Sequence, residues 1–246
     1  MHNAAFEHLG MDWCYVTFPV RPNQLGDAVK AIRALDLKGV NITVPHKENV
    51  MPLLDRVNEE ASFIGAVNTI QNDDGTLIGY NTDGRGFMES LSEAGISLEG
   101  KHVLIIGAGG ACRAISYYLS EKVSTLSLFD LDAHKAEKLI HDFSAIRTNM
   151  RRVKSLALLN EMDIIINATP LGLKNTDPIP VDISSIRGNM IVCELITRDT
   201  PLLKAASTKG CKTINGLGML LHQGVIAFNL WTGVMPPLDV MRNALR

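Results

Sequence analysis

An excess of charge of either sign is missing from this sequence: 24 Lys and Arg stand against 26 Asp and Glu, a formal net charge of −2, with the basic residues spread along the chain. Such a chain projects no field that would hold a polyanion or an anionic lipid surface, so neither nucleic acid nor a membrane is an expected partner. Cysteine is scarce as well. Cys14, Cys112, Cys193 and Cys211 are far apart and form no C-x-x-C pair, which argues against a disulfide framework and a zinc site. No metal is expected, and reduced thiols fit a cytoplasmic protein. No apolar run approaches the roughly 18 residues of a membrane span. The start MHNAAFEHLG lacks the basic segment and apolar core of an export signal.

What is present is ordinary for a soluble enzyme or binding protein: 46% hydrophobic and 20% charged residues. The 246 residues are enough for two modest domains, each burying its own core. From residue 101 short apolar β-rich runs alternate with longer helical ones, the pattern of a parallel sheet covered by helices. KHVLIIG reads as a buried strand, ACRAISYYLSEK as a helix and STLSLFD as a second strand ending at Asp130. A helix from Ala133 to Phe143, a helical stretch around 154–160 and the strands MDIIINAT and GNMIVCEL continue the alternation. Upstream, DWCYVTFPV and GVNITVP read as strands with a helix between them, so residues 1–80 form a separate α/β unit. GMLLHQGVIAFNLWTG is strongly helical, and Pro236-Pro237 interrupts before a last short helix.

The glycines of V-L-I-I-G-A-G-G-A-C-R-A follow a strand and open a helix. A dinucleotide pyrophosphate needs that setting, because it rests on free backbone N–H groups at the positive end of the helix. Gly107 permits the tight turn and Gly109 lets the backbone approach the phosphates. Cys112 stands where the G-x-G-x-x-G pattern has its third glycine. Asp130, about 20 residues on, sits where an acid accepts hydrogen bonds from the adenosine ribose. With Asp132 beside it and no arginine in the local turn, the segment favours NAD over NADP. Asp132 also reads as the cap of the helix that follows.

A dinucleotide turn names no substrate. Upstream, N-I-T-V-P-H-K, G-A-V-N-T and G-Y-N-T-D-G place polar groups at the ends of apolar runs, where sites in α/β sheets are built. With V-P-H-K, G-A-V-N-T, N-T-D-G, G-A-G-G-A, N-A-T-P-L-G and G-L-G-M-L-L-H-Q in that order, the sequence resembles the shikimate dehydrogenase family, including its quinate/shikimate branch. The resemblance implies a Rossmann doubly wound parallel sheet domain plus a smaller α/β substrate domain completed by C-terminal helices. It implies a substrate domain over 1–82 completed by 220–246, and a dinucleotide domain over 83–219. Lys47 and Asp83 are then the catalytic pair, with Thr43, Asn68 and Gln223 joining them on the hydroxyls of a cyclic polyol acid. Gly107, Ala108, Gly109, Gly110 and Ala111 would take the pyrophosphate, Asp130 the ribose, Thr169 the dinucleotide cleft, and Gly216 with Met219 the nicotinamide. His46, lacking a relay partner, is read as structural.

Three features depart from the family pattern. That pattern has a strand and a serine loop, whose serines hold the substrate carboxylate, immediately before M-H-N, where this sequence starts; an open sheet edge is expected there. At 130–132, NADP-dependent members carry Asn-Arg-Thr and this chain carries Asp-Leu-Asp. Leu195 stands where the family commonly has a substrate-contacting tyrosine. The expected activity is reversible hydride transfer between NAD(P)H and 3-dehydroshikimate to give shikimate, by a monomer or homodimer. A quinate dehydrogenase and a catalytically weak dinucleotide-binding protein of the same fold stay open.

Overall fold

The computed structural model describes residues 1–245, and the chain divides into two compact units, Met1–Gly86 with the residues from Leu221 onward, and Phe87–Leu220. The first contains α1 (His2–His8), α2 (Leu25–Ala34), β1 (Gly39–Asn41), β2 (Arg56–Val57), α3 (Glu59–Ile64), β3 (Thr69–Asp73), β4 (Thr76–Tyr80) and the start of α4 (Asp83–Glu93). The second holds β5 (His102–Ile106), α5 (Gly110–Lys122), β6 (Thr125–Phe129), α6 (Ala133–Phe143), β7 (Met150–Arg152), β8 (Ile164–Asn167), β9 (Ile191–Glu194), α7 (Pro201–Thr208) and β10 (Lys212–Ile214). Helix α8 (Leu217–Thr232) begins in the second unit, and its remainder belongs to the first with α9 (Leu238–Asn243).

The second unit is a six-stranded sheet in the order β10-β9-β8-β5-β6-β7, parallel at every step. Renumbered within the unit, that is 3-2-1-4-5-6 seen from the β7 edge, the order of dinucleotide-binding doubly wound sheets. Parallel strands covered on both faces become continuous apolar runs, as in Val103–Ile106 and Ile164–Ile166, all buried. One core cluster joins Leu104, Ile106, Ile165, Val192, Leu202 and Leu203. The direction of the chain reverses between β5 and β8, so the crevice beyond their C-terminal ends is where this topology binds ligands.

The first unit is a four-stranded mixed sheet, β1-β3-β4-β2. Leu25, Val29 and Ile32 of α2 pack on Val67, Ile70 and Leu77 of its strands. β3 and β4 form a hairpin around Asp74-Gly75, both at positive φ (46° and 91°), the requirement of the tight two-residue turn. The late part of the chain is bound to this sheet by the Trp231 indole, which donates to the Ile70 carbonyl at 2.9 Å, and by Gln71, whose side chain donates to the Leu230 carbonyl at 2.7 Å. Phe6 of α1, Val225 and Phe228 of α8 and Met241 of α9 close a further core.

Two expected elements differ. DWCYVTFPV is irregular rather than a strand. No strand lies beside it among the described residues, and the Asn3 side chain takes the place of a ladder partner, accepting from the Tyr15 N–H at 2.6 Å and donating to the Tyr15 carbonyl at 3.0 Å. The outer edge of β1 likewise carries no strand among the described residues. Around 154–160 only a short 3-10 turn forms, Leu156–Glu161.

His2 sits against the rings of Tyr15, Phe228 and Trp231. Its Nδ1 is buried without a hydrogen-bond partner. Burial, helped by the nearby N-terminal charge, lowers its pKa from 6.5 to about 4. The unfolded chain therefore takes up this proton first, and stability is lost as pH falls from about 6.5 toward 4. The unfolding free energy of the wild type relative to His2→Gln should drop by about 2 kcal/mol between pH 7.5 and 5. Urea titrations at the two pH values check this; an unchanged difference would mean that His2 is protonated in place.

Candidate active site

In the first unit the polar strand ends converge. Asn58 caps α3 by accepting from the Ala61 N–H at 2.9 Å, and Gly65, at φ 76°, ends the helix in a left-handed turn. The chain can then enter β3 with Asn68 facing β4. The Val67 N–H donates to the Lys47 carbonyl (2.8 Å) and the Asn68 N–H to the Tyr80 carbonyl (3.0 Å), which brings 47, 68 and 81–83 together. The Asn81 side chain accepts from the Asp83 N–H at 3.1 Å and sets the first turn of α4. The result is a cluster: Lys47 Nζ donates to Asp83 Oδ2 at 2.7 Å, and Asn68 Nδ2 donates to Asp83 Oδ1 at 2.8 Å. Both Asp83 oxygens are thereby held, and the ammonium has a fixed direction. Thr82, part of N-T-D-G but given no role from the sequence, receives Asn68 Nδ2 at 3.0 Å and donates to Gln223 Oε1 at 3.4 Å. Lys47, Asp83, Asn68 and Gln223 thus form one hydrogen-bonded group.

Thr43 lies apart from that network. It is exposed just beyond β1, and its carbonyl receives the His46 N–H at 2.9 Å. His46 is buried with Nε2 2.9 Å from the Val20 carbonyl oxygen, a structural contact.

In the second unit Gly107 follows β5 at φ 95°. A Cβ there would come within 2.9 Å of Thr169 Cγ2 and 3.0 Å of Ala168, so the turns after β5 and β8 touch at the switch point and only glycine fits. Gly109 caps α5 without any side-chain acceptor, and a Cβ on Gly109 or Gly110 would meet nothing within 4 Å. The backbone at the start of α5 is thus open to close approach, and its first N–H groups have no intrahelical partner, a cradle that fits a pyrophosphate. Ala111 follows on the exposed first turn. Cys112 is fully buried, its thiol pushed up to about 12 by burial, so the third-glycine position serves packing.

Asp130 bridges two segments: Oδ2 accepts from the Ala108 N–H at 2.7 Å and Oδ1 from the Asp132 N–H at 2.8 Å. Asp132 caps α6 through the His134 N–H at 3.1 Å. Leu131 between them is 92% exposed. Gly216 is buried, and a Cβ there would lie 2.2 Å from the Leu195 carbonyl oxygen, so packing alone demands glycine. Met219 is half-buried on α8.

A cavity of about 270 Å³ in this unit is lined by Ser90, Glu93, Asp199, Asn215 and others, and by none of the residues nominated from sequence. Among the described residues no group of three or more His, Cys, Asp or Glu could hold a metal ion, and no helix is long and apolar enough to cross a membrane.

Three family models match the chain: the shikimate dehydrogenase substrate-binding domain over residues 1–70, shikimate/quinate 5-dehydrogenase over 89–173, and the shikimate 5′-dehydrogenase C-terminal domain over 216–246. A shikimate dehydrogenase (NADP+) of Desulforamulus reducens is 44% identical across 100% of this chain and 88% of its own length. The chain belongs to the shikimate dehydrogenase family. Solved structures of the family agree. The shikimate dehydrogenase of Aquifex aeolicus superimposes with a TM-score of 0.94 at 38% identity, over 99% of this chain and 90% of that one. The shikimate 5-dehydrogenase of Listeria monocytogenes, solved with shikimate and NAD, gives 0.91 at 35%, over 100% and 90%.

Proposed function

We propose that this chain is a shikimate dehydrogenase that interconverts shikimate and 3-dehydroshikimate with NAD in preference to NADP. The Met1–Gly86 unit with the later helices is the substrate domain, and Phe87–Leu220 is the dinucleotide domain. One observation carries the reading: in a member of this family, a directed ammonium, Lys47, is held 2.7 Å from Asp83 and linked to Asn68.

Reduction of a ring ketone develops charge on its oxygen, and a donor placed beside it lowers that barrier. Lys47 donates the proton in that direction and receives it in the reverse one. Asp83 orients the ammonium and accepts from a ring hydroxyl. Asn68 and Gln223, the latter joined through Thr82, bind further hydroxyls, and Thr43 adds one at the exposed rim. The bound nicotinamide supplies or takes the hydride. Gly107 to Ala111 receive the pyrophosphate, Thr169 lines the dinucleotide cleft, and Gly216 with Met219 border the nicotinamide.

The NAD preference rests on Asp130, Leu131 and Asp132. A 2′-phosphate would meet two carboxylates and no guanidinium in that turn. Curated relatives such as the one from D. reducens are named for NADP+, so the proposed preference sets this chain apart from them. Steady-state kinetics with shikimate or quinate and either dinucleotide tests both parts. The expected result is the highest kcat/KM for shikimate with NAD. A large NADP advantage would refute the cofactor assignment, and a quinate advantage the substrate. Dinucleotide binding without turnover would favour a non-catalytic member of the fold.

A further inference from the structure

Glu194 ends β9 and is 1% exposed, with no cation on its carboxylate among the described residues. It occupies a strand whose other residues are Ile191, Val192 and Cys193, where an apolar side chain would bury at no cost. Burial pushes its carboxyl upward, against the pull of two donors, Thr200 and Asn167. Thr200 Oγ1 donates to Glu194 Oε1 at 2.8 Å, and Asn167 Nδ2 donates to Glu194 Oε2 at 2.9 Å. Asn167 ends β8 in register with Glu194 and is fully buried.

The second bond helps to fix how the Asn167 amide is turned. Its Nδ2 also donates to the Leu171 carbonyl (2.9 Å), while Oδ1 accepts both the N–H (3.0 Å) and the hydroxyl (2.7 Å) of Thr169. An amide has one donating and one accepting end. The acid and the Leu171 carbonyl, both acceptors on the Nδ2 side, together turn the accepting end toward Thr169. Thr169 Oγ1 in turn receives the Leu171 N–H at 3.1 Å. The methyl of Thr169 is the atom that a Cβ on Gly107 would meet first, so this residue forms one wall of the phosphate turn.

We propose that Glu194 is a positioning residue for dinucleotide binding: it helps to fix the Asn167 amide, which holds Thr169 against the Gly107 turn. The inference deepens the reading of this unit as the dinucleotide domain and rests on it. Nothing in the sequence pattern around the glycines announces it; the carboxylate lies 87 positions beyond Gly107.

Glu194→Leu and Glu194→Gln decide the matter, with NAD as the probe in binding titrations and steady-state kinetics. Leucine removes the acceptor and leaves a buried donor unpaired, so Kd and KM for NAD should rise about tenfold. The KM for shikimate and kcat at saturating NAD should stay within about threefold. Glutamine can offer its oxygen to Asn167 and its nitrogen to Thr200 Oγ1, so Glu194→Gln should remain close to wild type. Unchanged NAD affinity in Glu194→Leu overturns the proposal, as does an equal loss in every parameter or a glutamine variant as impaired as leucine. If Glu194→Leu fails to fold, Thr200→Val, which removes the other donor together with the cap that Thr200 Oγ1 gives α7 at the Leu203 N–H (3.3 Å), should raise the KM for NAD by a few-fold and leave that for shikimate alone; no change there also overturns it. A wild-type chain that binds no dinucleotide defeats the underlying reading itself, an outcome separate from any difference between variants.

Discussion

Lys47→Met should lower kcat for shikimate oxidation by about three orders of magnitude, the middle of the range for removal of a positioned proton-transfer group. Affinity for NAD should be unchanged, because the bonds that shape the phosphate turn, from Asp130 to Ala108 and from Asn167 to Thr169, lie elsewhere in the chain. The substitution also leaves Asp83 Oδ2 without its 2.7 Å partner. The protein should remain folded, since Asp83 keeps the Asn68 bond at 2.8 Å and some access to water, at 13% side-chain exposure. Stopped-flow and steady-state traces, with circular dichroism as the folding control, provide the check. A variant that keeps more than a tenth of wild-type kcat would remove Lys47 from the chemistry.

The second large effect concerns the cofactor. The combined change Asp130→Asn, Leu131→Arg and Asp132→Thr should move the ratio of kcat/KM for NAD to that for NADP by about two orders of magnitude toward NADP. Two carboxylates that repel a 2′-phosphate disappear and a guanidinium able to bind it bidentately enters, together on the order of 3 kcal/mol. The structure makes the exchange tolerable. Leu131 is almost wholly exposed, so an arginine there displaces no packing. Threonine at 132 can still cap α6. Only position 130 carries a structural penalty: Asp130 accepts two N–H groups, from Ala108 and Asp132, and asparagine can accept with one end only. A ratio that stays put would show that selectivity is set outside this turn.

Asp130 also illustrates where sequence reading reaches its limit. Its distance from the glycines nominates it as a ribose acceptor, and that nomination needs only strand and turn lengths. That the same carboxylate staples the glycine turn through Ala108 follows from the spacing of β5 and β6 in the sheet, which no local pattern encodes. Gly216 is similar: G-L-G-M suggested a ligand, whereas the Leu195 carbonyl, 2.2 Å from where a Cβ would sit, requires glycine with or without one. The strand expected over DWCYVTFPV went the other way. Its β-branched and aromatic residues satisfy the propensity, but a strand exists only where a neighbour offers a ladder, and Asn3 offers just one side-chain amide. The hairpin at Asp74-Gly75 was legible in principle, since D-G between alternating runs is a strong turn signal.

By itself, the sequence determined the elements whose cause is local. Val103–Ile106 are apolar on both faces and so form an interior strand, glycines after that strand open a helix, and Asp132 caps the next one. It also carried, through six dispersed motifs, the family and the residue types of the site. The tertiary structure decided which of those residues act as a group. Lys47 and Asp83 are 36 positions apart, and Glu194, Asn167 and Thr169 meet only because β8 and β9 end in register. Hydrogen bonds are short and directional, so their partners are selected by how strands and helices stack, whereas periodicity and capping act within a few residues along the chain.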